Sequence, residues 1–380
     1  MKFCFSAIIL LFTMQTLAVN LKKREKNPTS VYRVKSIVTK VKEDDLIKTL
    51  RDFIKNNRPS RMVGTASHEK VASWLVEEIK RKDPNSKGLV IVDEFEPDLE
   101  RAKKSYLQEF QNEIVGKFQP GDKIYQRWDS FTKNMIKRLD SFKGIKGKNV
   151  IWEKKGSKYP NEVLLLGAHY DTVIFDKKNM VVNNKGRQPG ADNNGTGVSA
   201  LLQMIELLSQ VEIQKTIRIV FFDFQEFDFL GARAYLKKYE TPLKEENFNG
   251  MVNVLMLGHD TKNEDKEKKY GNFKAYGRKG MGGPSSHDKA LFDMLNVAGK
   301  KMSSHIDFEY VGNNFNTGDH LPFWENGYPA VTFTQNWESD YNSKNHHTSN
   351  DFVETINFKS FYHSFLYLSG SVISWAMELK

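Results

Sequence analysis

The apolar positions of this chain follow one rhythm up to about residue 144 and another beyond it. In the first part the spacing is helical. Leu46 to Ile54 repeats at helical intervals, and Glu69 to Lys80 places Val71, Ala72, Leu75 and Ile79 on one face of an amphipathic helix. Leu89 to Val92 is a short apolar strand. Residues 97–144 are charged and aromatic with helical periodicity, broken at Gln119-Pro120-Gly121-Asp122, and read as a helical insertion or lid.

After that point short, continuous apolar runs alternate with helical segments. Strands are expected at Asn149 to Trp152, Val163 to Asp171, IRIVFFDFQE, GMVNVLMLGHD and PAVTFT. Helices are expected at Thr196 to Leu208, GARAYLKKY and Phe358 to Glu378. Strands that are apolar throughout, separated by helices, make a largely parallel or mixed sheet covered on both faces. Sites in such sheets form beyond the carboxyl ends of the strands. The polar residues of this chain gather at those ends.

Composition adds limits. The 380 residues are 39% hydrophobic and 12% aromatic, enough for a substantial core and too apolar for disorder. Lysine and arginine outnumber acids by ten, spread along the whole chain. No nucleic-acid-binding motif accompanies that charge, so a nucleic-acid partner is not expected. The opening MKFCFSAIILLFTMQTLAVN has a short positive start, an apolar stretch Phe3 to Phe12 and a small-residue site at Ala18. It reads as a secretory signal covering residues 1–18, which makes the protein secreted or periplasmic. The apolar stretch is too short to span a bilayer. Residues 19–44 read as a polar, basic, loose lead-in to a domain covering 45–380. The only cysteine, Cys4, lies in the signal, so disulfides and thiolate chemistry are excluded after cleavage.

Any metal must then be held by His, Asp and Glu. Four groups of these lie at strand ends: His169-Tyr170-Asp171, Asp192 in a Gly-Ala-Asp-Asn-Asn-Gly turn, Glu226, and His346-His347-Thr348. Each alone is ordinary: a surface histidine, a turn or helix-capping aspartate, a solvated glutamate. Together, at the ends of strands of one sheet, they are the ligand types that suit zinc. Asp171 is placed to orient the ring of His169.

The succession HYDTV, PGADNNGTG, FFDFQE with LGA, TGDHLPFWENGYPAVTF and HHTSND resembles the zinc-dependent aminopeptidases of metallopeptidase family twenty-eight. That family includes the bacterial leucyl aminopeptidases and shares a superfamily with the glutaminyl cyclases. The likeness runs over about residues 60 to 375, and RMVGTASHEKVASWLVEEI resembles the family's opening helix. It implies a three-layer α/β/α sandwich with a central mixed, mostly parallel sheet, of the zinc-exopeptidase kind. It also implies a zinc pair bridged by one aspartate and a peptide as substrate or ligand. Carried over by position, Asp192 is the bridging carboxylate, Glu226 and His347 complete one zinc site, and His169 serves the other, oriented by Asp171. Asp319 and His320 match a supporting Asp-His pair.

Two positions depart from that pattern. The family's general base precedes the ligand glutamate, and here that residue is Gln225. An amide takes no proton from water, and losing a positioned base costs a factor of about 10² to 10⁴. The family's remaining metal ligand, an aspartate after the third strand, is Leu255 here. One zinc ion rather than two is therefore expected, with His259 or Asp260 poor substitutes. Three functions follow: a peptidase of reduced or altered activity, a non-catalytic relative binding peptide, partner or one zinc, and a glutaminyl cyclase-like acyltransferase. The last also uses an acid at position 225. Asn194-Gly195-Thr196 is formally a glycosylation sequon beside Asp192.

Overall fold

The computed structural model describes residues 28–176, 181–183, 186–261, 272–280, 282–303, 305–306 and 308–379. The signal segment 1–18 and the first part of the lead-in lie outside them. An eight-stranded sheet runs through the molecule. Its strands are β1 (Leu89–Phe95), β2 (Gly147–Lys154), β3 (Tyr159–His169), β4 (Lys215–Phe222), β5 (Asn247–Val254), β6 (Lys274–Gly277), β7 (Glu309–Gly312) and β8 (Ala330–Thr334), in the order β1-β2-β4-β3-β5-β8-β6-β7. The central strands β4, β3, β5 and β8 are mutually parallel. β1, β2 and β6 run antiparallel to a neighbour. The sheet is mixed with a parallel centre, and the expected class holds.

The α-helices of the described residues are α1 (Pro28–Val38), α2 (Glu43–Asn56), α3 (His68–Lys82), α4 (Leu99–Glu113), α5 (Lys123–Asp140), α6 (Thr196–Ser209), α7 (Leu230–Glu245), α8 (Pro284–Met302), α9 (His320–Glu325) and α10 (Phe358–Ala376). The central strands alternate their side chains between two cores, as a pleated strand must. Leu164, Leu166, Ile217, Ile219 and Val252 face one core, shared with helices α1, α2, α3, α6, α8 and α10. Leu165, Val220, Phe222 and Met251 face the other, shared with α7 and α9. Helix α1 corrects the reading of residues 19–44 as wholly loose: Val34, Ile37 and Val38 form a buried stripe between its basic residues.

The segment 97–144 is a hairpin of α4 and α5, joined across the Gln119–Asp122 break. Phe110 meets Tyr125 edge-on at 5.3 Å, and Tyr106 meets Phe131 at 6.0 Å. Ala102, Met135 and Leu139 of the hairpin bury against Phe142, Phe224, Phe227 and Leu230. This third core lies at the carboxyl end of the sheet, beside the strand-end loops. Helix α8 and strands β6 and β7 complete the sheet's far side. Among the described residues, no helix is long and apolar enough to cross a membrane.

Candidate binding site at the carboxyl ends of the central strands

Strand β3 ends at His169, paired in register with Phe222, the last residue of β4. Asp171 follows. Its carboxylate accepts the backbone N–H groups of Gln225 and Glu226, both at 3.1 Å, and so pins the segment after β4 to the end of β3. Nδ1 of His169 lies 3.2 Å from the Asp171 carbonyl oxygen and 3.5 Å from its carboxylate. Asp171 therefore holds His169 through its backbone, and its side chain holds the neighbouring loop.

The turn before α6 places its residues differently from the order read along the sequence. Asp192 is fully buried and points away from the site. Its carboxylate accepts from the Gly258 N–H at 2.8 Å, Asn342 Nδ2 at 2.9 Å and Gln335 Nε2 at 3.2 Å. The side chain that reaches the site is Asn193. Its Nδ2 donates to Glu226 Oε1 at 2.7 Å, and its Oδ1 lies 3.2 Å from His169 Nε2. The assignment of Asp192 as the bridging carboxylate is thus corrected by one residue. Side-chain chemistry favours the aspartate in the motif, and the direction of the turn, which decides the matter, is invisible in composition.

The turn itself is fixed from below. Asp351 accepts the N–H groups of Asp192 and Asn193, each at 2.9 Å. Burial and the nearby Asp192 carboxylate push its pKa up to about 7, against the pull of those two N–H groups and Arg61. Arg61, itself buried, donates to the carbonyls of Tyr170, Pro189 and Gly190.

Glu226 and His347 face each other, with Nε2 of His347 3.0 Å from Oε2 of Glu226. Burial pushes the Glu226 carboxyl up to about 8; His169 and the Asn193 amide oppose the shift, and Asp171 adds to it. Gln225 and Leu255 line the same cleft, with Asn193, Met256, Thr317, Trp337 and His346. The space these side chains leave is about 20 Å³, room for a single water. The rim is aromatic: Trp337 stacks on Tyr341 at 4.9 Å, and His346 meets Trp337 edge-on at 5.2 Å. From the hairpin side, Phe131 packs on Phe175, and Phe175 on His347 at 5.4 Å. Phe224, Met256 and His347 all have left-handed backbones, with φ of +54°, +50° and +56°. Side-chain-bearing residues rarely adopt that conformation, and such strain concentrates at working sites.

The remaining sequence candidates lie around this cleft. Asp319 is fully buried, neither carboxylate oxygen has a hydrogen-bond partner, and burial with Asp171 and Glu226 raises its pKa well above the usual range. His320 is equally buried and faces Thr332 Oγ1 and the Phe315 carbonyl, as a core histidine does. His259 pairs with Asp340, and Asp260 accepts from Ser360, so neither replaces a ligand at Leu255. Asn194 is buried, its Nδ2 donating to the Val254 carbonyl, which closes the sequon off in the fold.

The fold and this cleft define a zinc-exopeptidase scaffold. The chain belongs to peptidase family M28, whose sequence model matches residues 149–370. It is 28% identical over 254 residues to an aminopeptidase of Bacillus subtilis, YwaD, covering 64% of this chain and 47% of that protein. The chain spans about half the length of the first curated relatives it matches. Among solved structures, the zinc aminopeptidase BSAP of Bacillus subtilis superimposes with a TM-score of 0.62 at 17% identity, over 89% of this chain and 96% of that one. A glutaminyl cyclase of Bacteroides thetaiotaomicron superimposes with a TM-score of 0.58 at 15% identity, over 89% and 98%. These likenesses establish the sandwich fold.

Zinc is named for relatives of this chain, so its fit can be tested on the residues present. Among the described residues, no three His, Cys, Asp or Glu side chains are grouped to hold a metal ion. The side chain between His169 and Glu226 is a neutral amide, and Leu255 offers no donor. The residues do not fit a pair of ions. For a single ion, Glu226 and His347 are the remaining adjacent pair, and the next side chain on Glu226 is the neutral amide of Asn193.

Proposed function

We propose that this protein is an exported, non-catalytic member of the M28 family that binds the ends of peptides against the aromatic rim of Trp337, Tyr341 and His346 beside Glu226. One observation carries the reading: Gln225 and Leu255 line the same cleft as Glu226 and His347. The cleft has an aromatic rim, and an amide and a leucine stand at the two positions where the family resemblance implies acids. An amide beside Glu226 leaves no base to deprotonate water. The raised pKa of Glu226 does not restore one, because both its oxygens already face Asn193 and His347. The rim of Trp337, Tyr341 and His346 supplies apolar faces suited to a peptide side chain, and large aromatics are efficient at such contacts.

The test pairs catalysis with binding. The mature protein is assayed on a panel of aminoacyl amides with added zinc, beside a His347→Ala control. The expected result is no turnover above that control. Short peptides should nevertheless bind, and Trp337→Ala should weaken their binding about tenfold, in line with a lost aromatic contact. Turnover that disappears in His347→Ala would replace this reading with a working peptidase.

A further inference from the structure

We propose that the Asn193 carboxamide takes the place of the metal in this cleft. The wild-type site is closed by hydrogen bonds and holds no zinc, and Asn193→Asp alone turns it into a one-ion site. The proposal stands apart from the peptide-binding reading and takes His169, Glu226 and His347 as the ligand set that the family resemblance implies.

The orientation of the amide decides the chemistry. Its Nδ2 is committed to Glu226 Oε1 at 2.7 Å, which turns its Oδ1 toward His169 Nε2 at 3.2 Å. Both ring nitrogens of His169 thus face oxygens, Nδ1 the Asp171 carbonyl and Nε2 the Asn193 amide oxygen, so the amide oxygen stands in front of the nitrogen that a metal would need. His347 Nε2 lies 3.0 to 3.2 Å from the two oxygens of Glu226. The four side chains form one chain of contacts, His169, Asn193, Glu226, His347, with every link in a buried or half-buried place. An incoming ion would have to break these links, and between His169 and Glu226 it would meet a neutral amide in the place of a ligand.

No neighbouring acid can move in. Asp192 is anchored by three donors on the far side of the turn. Asp171 is engaged by the two N–H groups of Gln225 and Glu226. Position 193 therefore decides the matter alone. An aspartate there would point one oxygen at His169 and the other at Glu226. Repulsion between the two carboxylates is relieved by a cation, and the introduced carboxylate would complete a His-Asp-Glu set with His347 and Glu226. Such three-ligand sets with an open fourth position bind zinc.

The test needs no catalysis. Wild type and Asn193→Asp are dialysed against zinc and then buffer, metal is counted by plasma mass spectrometry, and melting is followed with zinc or with chelator. Wild type is expected to keep less than about a tenth of an ion per chain, with melting unaffected by either addition. Asn193→Asp is expected to keep about one ion, and zinc at a hundredfold its Kd should raise its melting temperature by roughly 4 °C. Adding His347→Ala to it should abolish both effects. A wild type that keeps one ion and melts higher with zinc overturns the proposal, and that result needs no variant to fold. An Asn193→Asp protein that folds and takes no zinc overturns it as well. The two readings fail separately: zinc in an inert wild type sinks this one alone, and metal-free turnover sinks only the functional one.

Discussion

The two sides of the turn at residues 190–194 are built to different standards. Below it, the polar groups are engaged. Arg61 gives three hydrogen bonds to carbonyls at 2.6 to 2.9 Å, Asp351 takes two backbone N–H groups, and Asp192 takes three donors. Above it, His169, Asn193, Glu226 and His347 are linked, but other groups are left idle. Gln225 Oε1 is buried without a partner, and so are both oxygens of Asp319. Buried polar groups without partners are costly and rare. The lower side shapes the turn. The upper side lines the cleft, and there neutral and apolar side chains stand at Asn193, Gln225 and Leu255. Chemistry and scaffold are separable in this molecule, one residue apart.

The sharpest way to break that comparison is to rebuild the upper side alone. Asn193→Asp with Gln225→Glu and Leu255→Asp should leave the fold intact and, with zinc, raise hydrolysis of aminoacyl amides above wild type. The base alone is worth about 10² to 10⁴ in rate. If the triple variant is folded, holds zinc and stays inert, the residue-by-residue match to the family is wrong. The opposite change is made below the turn. Arg61→Ala removes a buried cation that favours the Asp351 carboxylate, leaves three carbonyls without their donor and takes away the packing of the guanidinium on Phe53. A loss of about 3 to 5 kcal/mol in urea unfolding is expected. A loss under about 1 kcal/mol would mean that the turn holds itself, and that the two sides do not differ as described.

The sequence carries the fold further than it carries the site. The central strands are legible because their apolar runs are continuous, and the amphipathic stripe of α3 because helical spacing repeats over fifteen residues. β6 and β7 are four residues each, too short for periodicity to register, and α8 is nearly balanced between polar and apolar positions. Glu226, His347 and His169 stand out by residue type at strand ends, and they do converge. Charge favours Asp192 over Asn193. That criterion fails because which way a side chain leaves a turn depends on backbone dihedrals, and three polar residues in a row give no period from which to read them. Gln225 and Leu255 stand out as absences of chemistry, which only a resemblance can make visible.

The smallest predicted effect separates a scaffold histidine from a ligand histidine. His169 and His347 face the cleft, whereas His320 opens helix α9 in the core, the supporting place that the resemblance implies for it. His320 is fully buried between Thr332 and the Phe315 carbonyl, and burial lowers its pKa to about 4. An unfolded histidine titrates near 6.5. Between pH 6.5 and 4 the unfolded chain therefore holds a proton at this position that the folded chain lacks. The folded state loses stability as pH falls through that window, by about 1.4 kcal/mol per pH unit once the difference is complete. His320→Gln removes the titration. It should cost stability at pH 7, where two hydrogen bonds are disturbed, and it should flatten the decline between pH 6.5 and 4.5 relative to wild type. Urea midpoints at half-unit steps of pH measure both effects. Parallel declines in the two proteins would mean that water reaches His320 and that it does not belong to the buried scaffold.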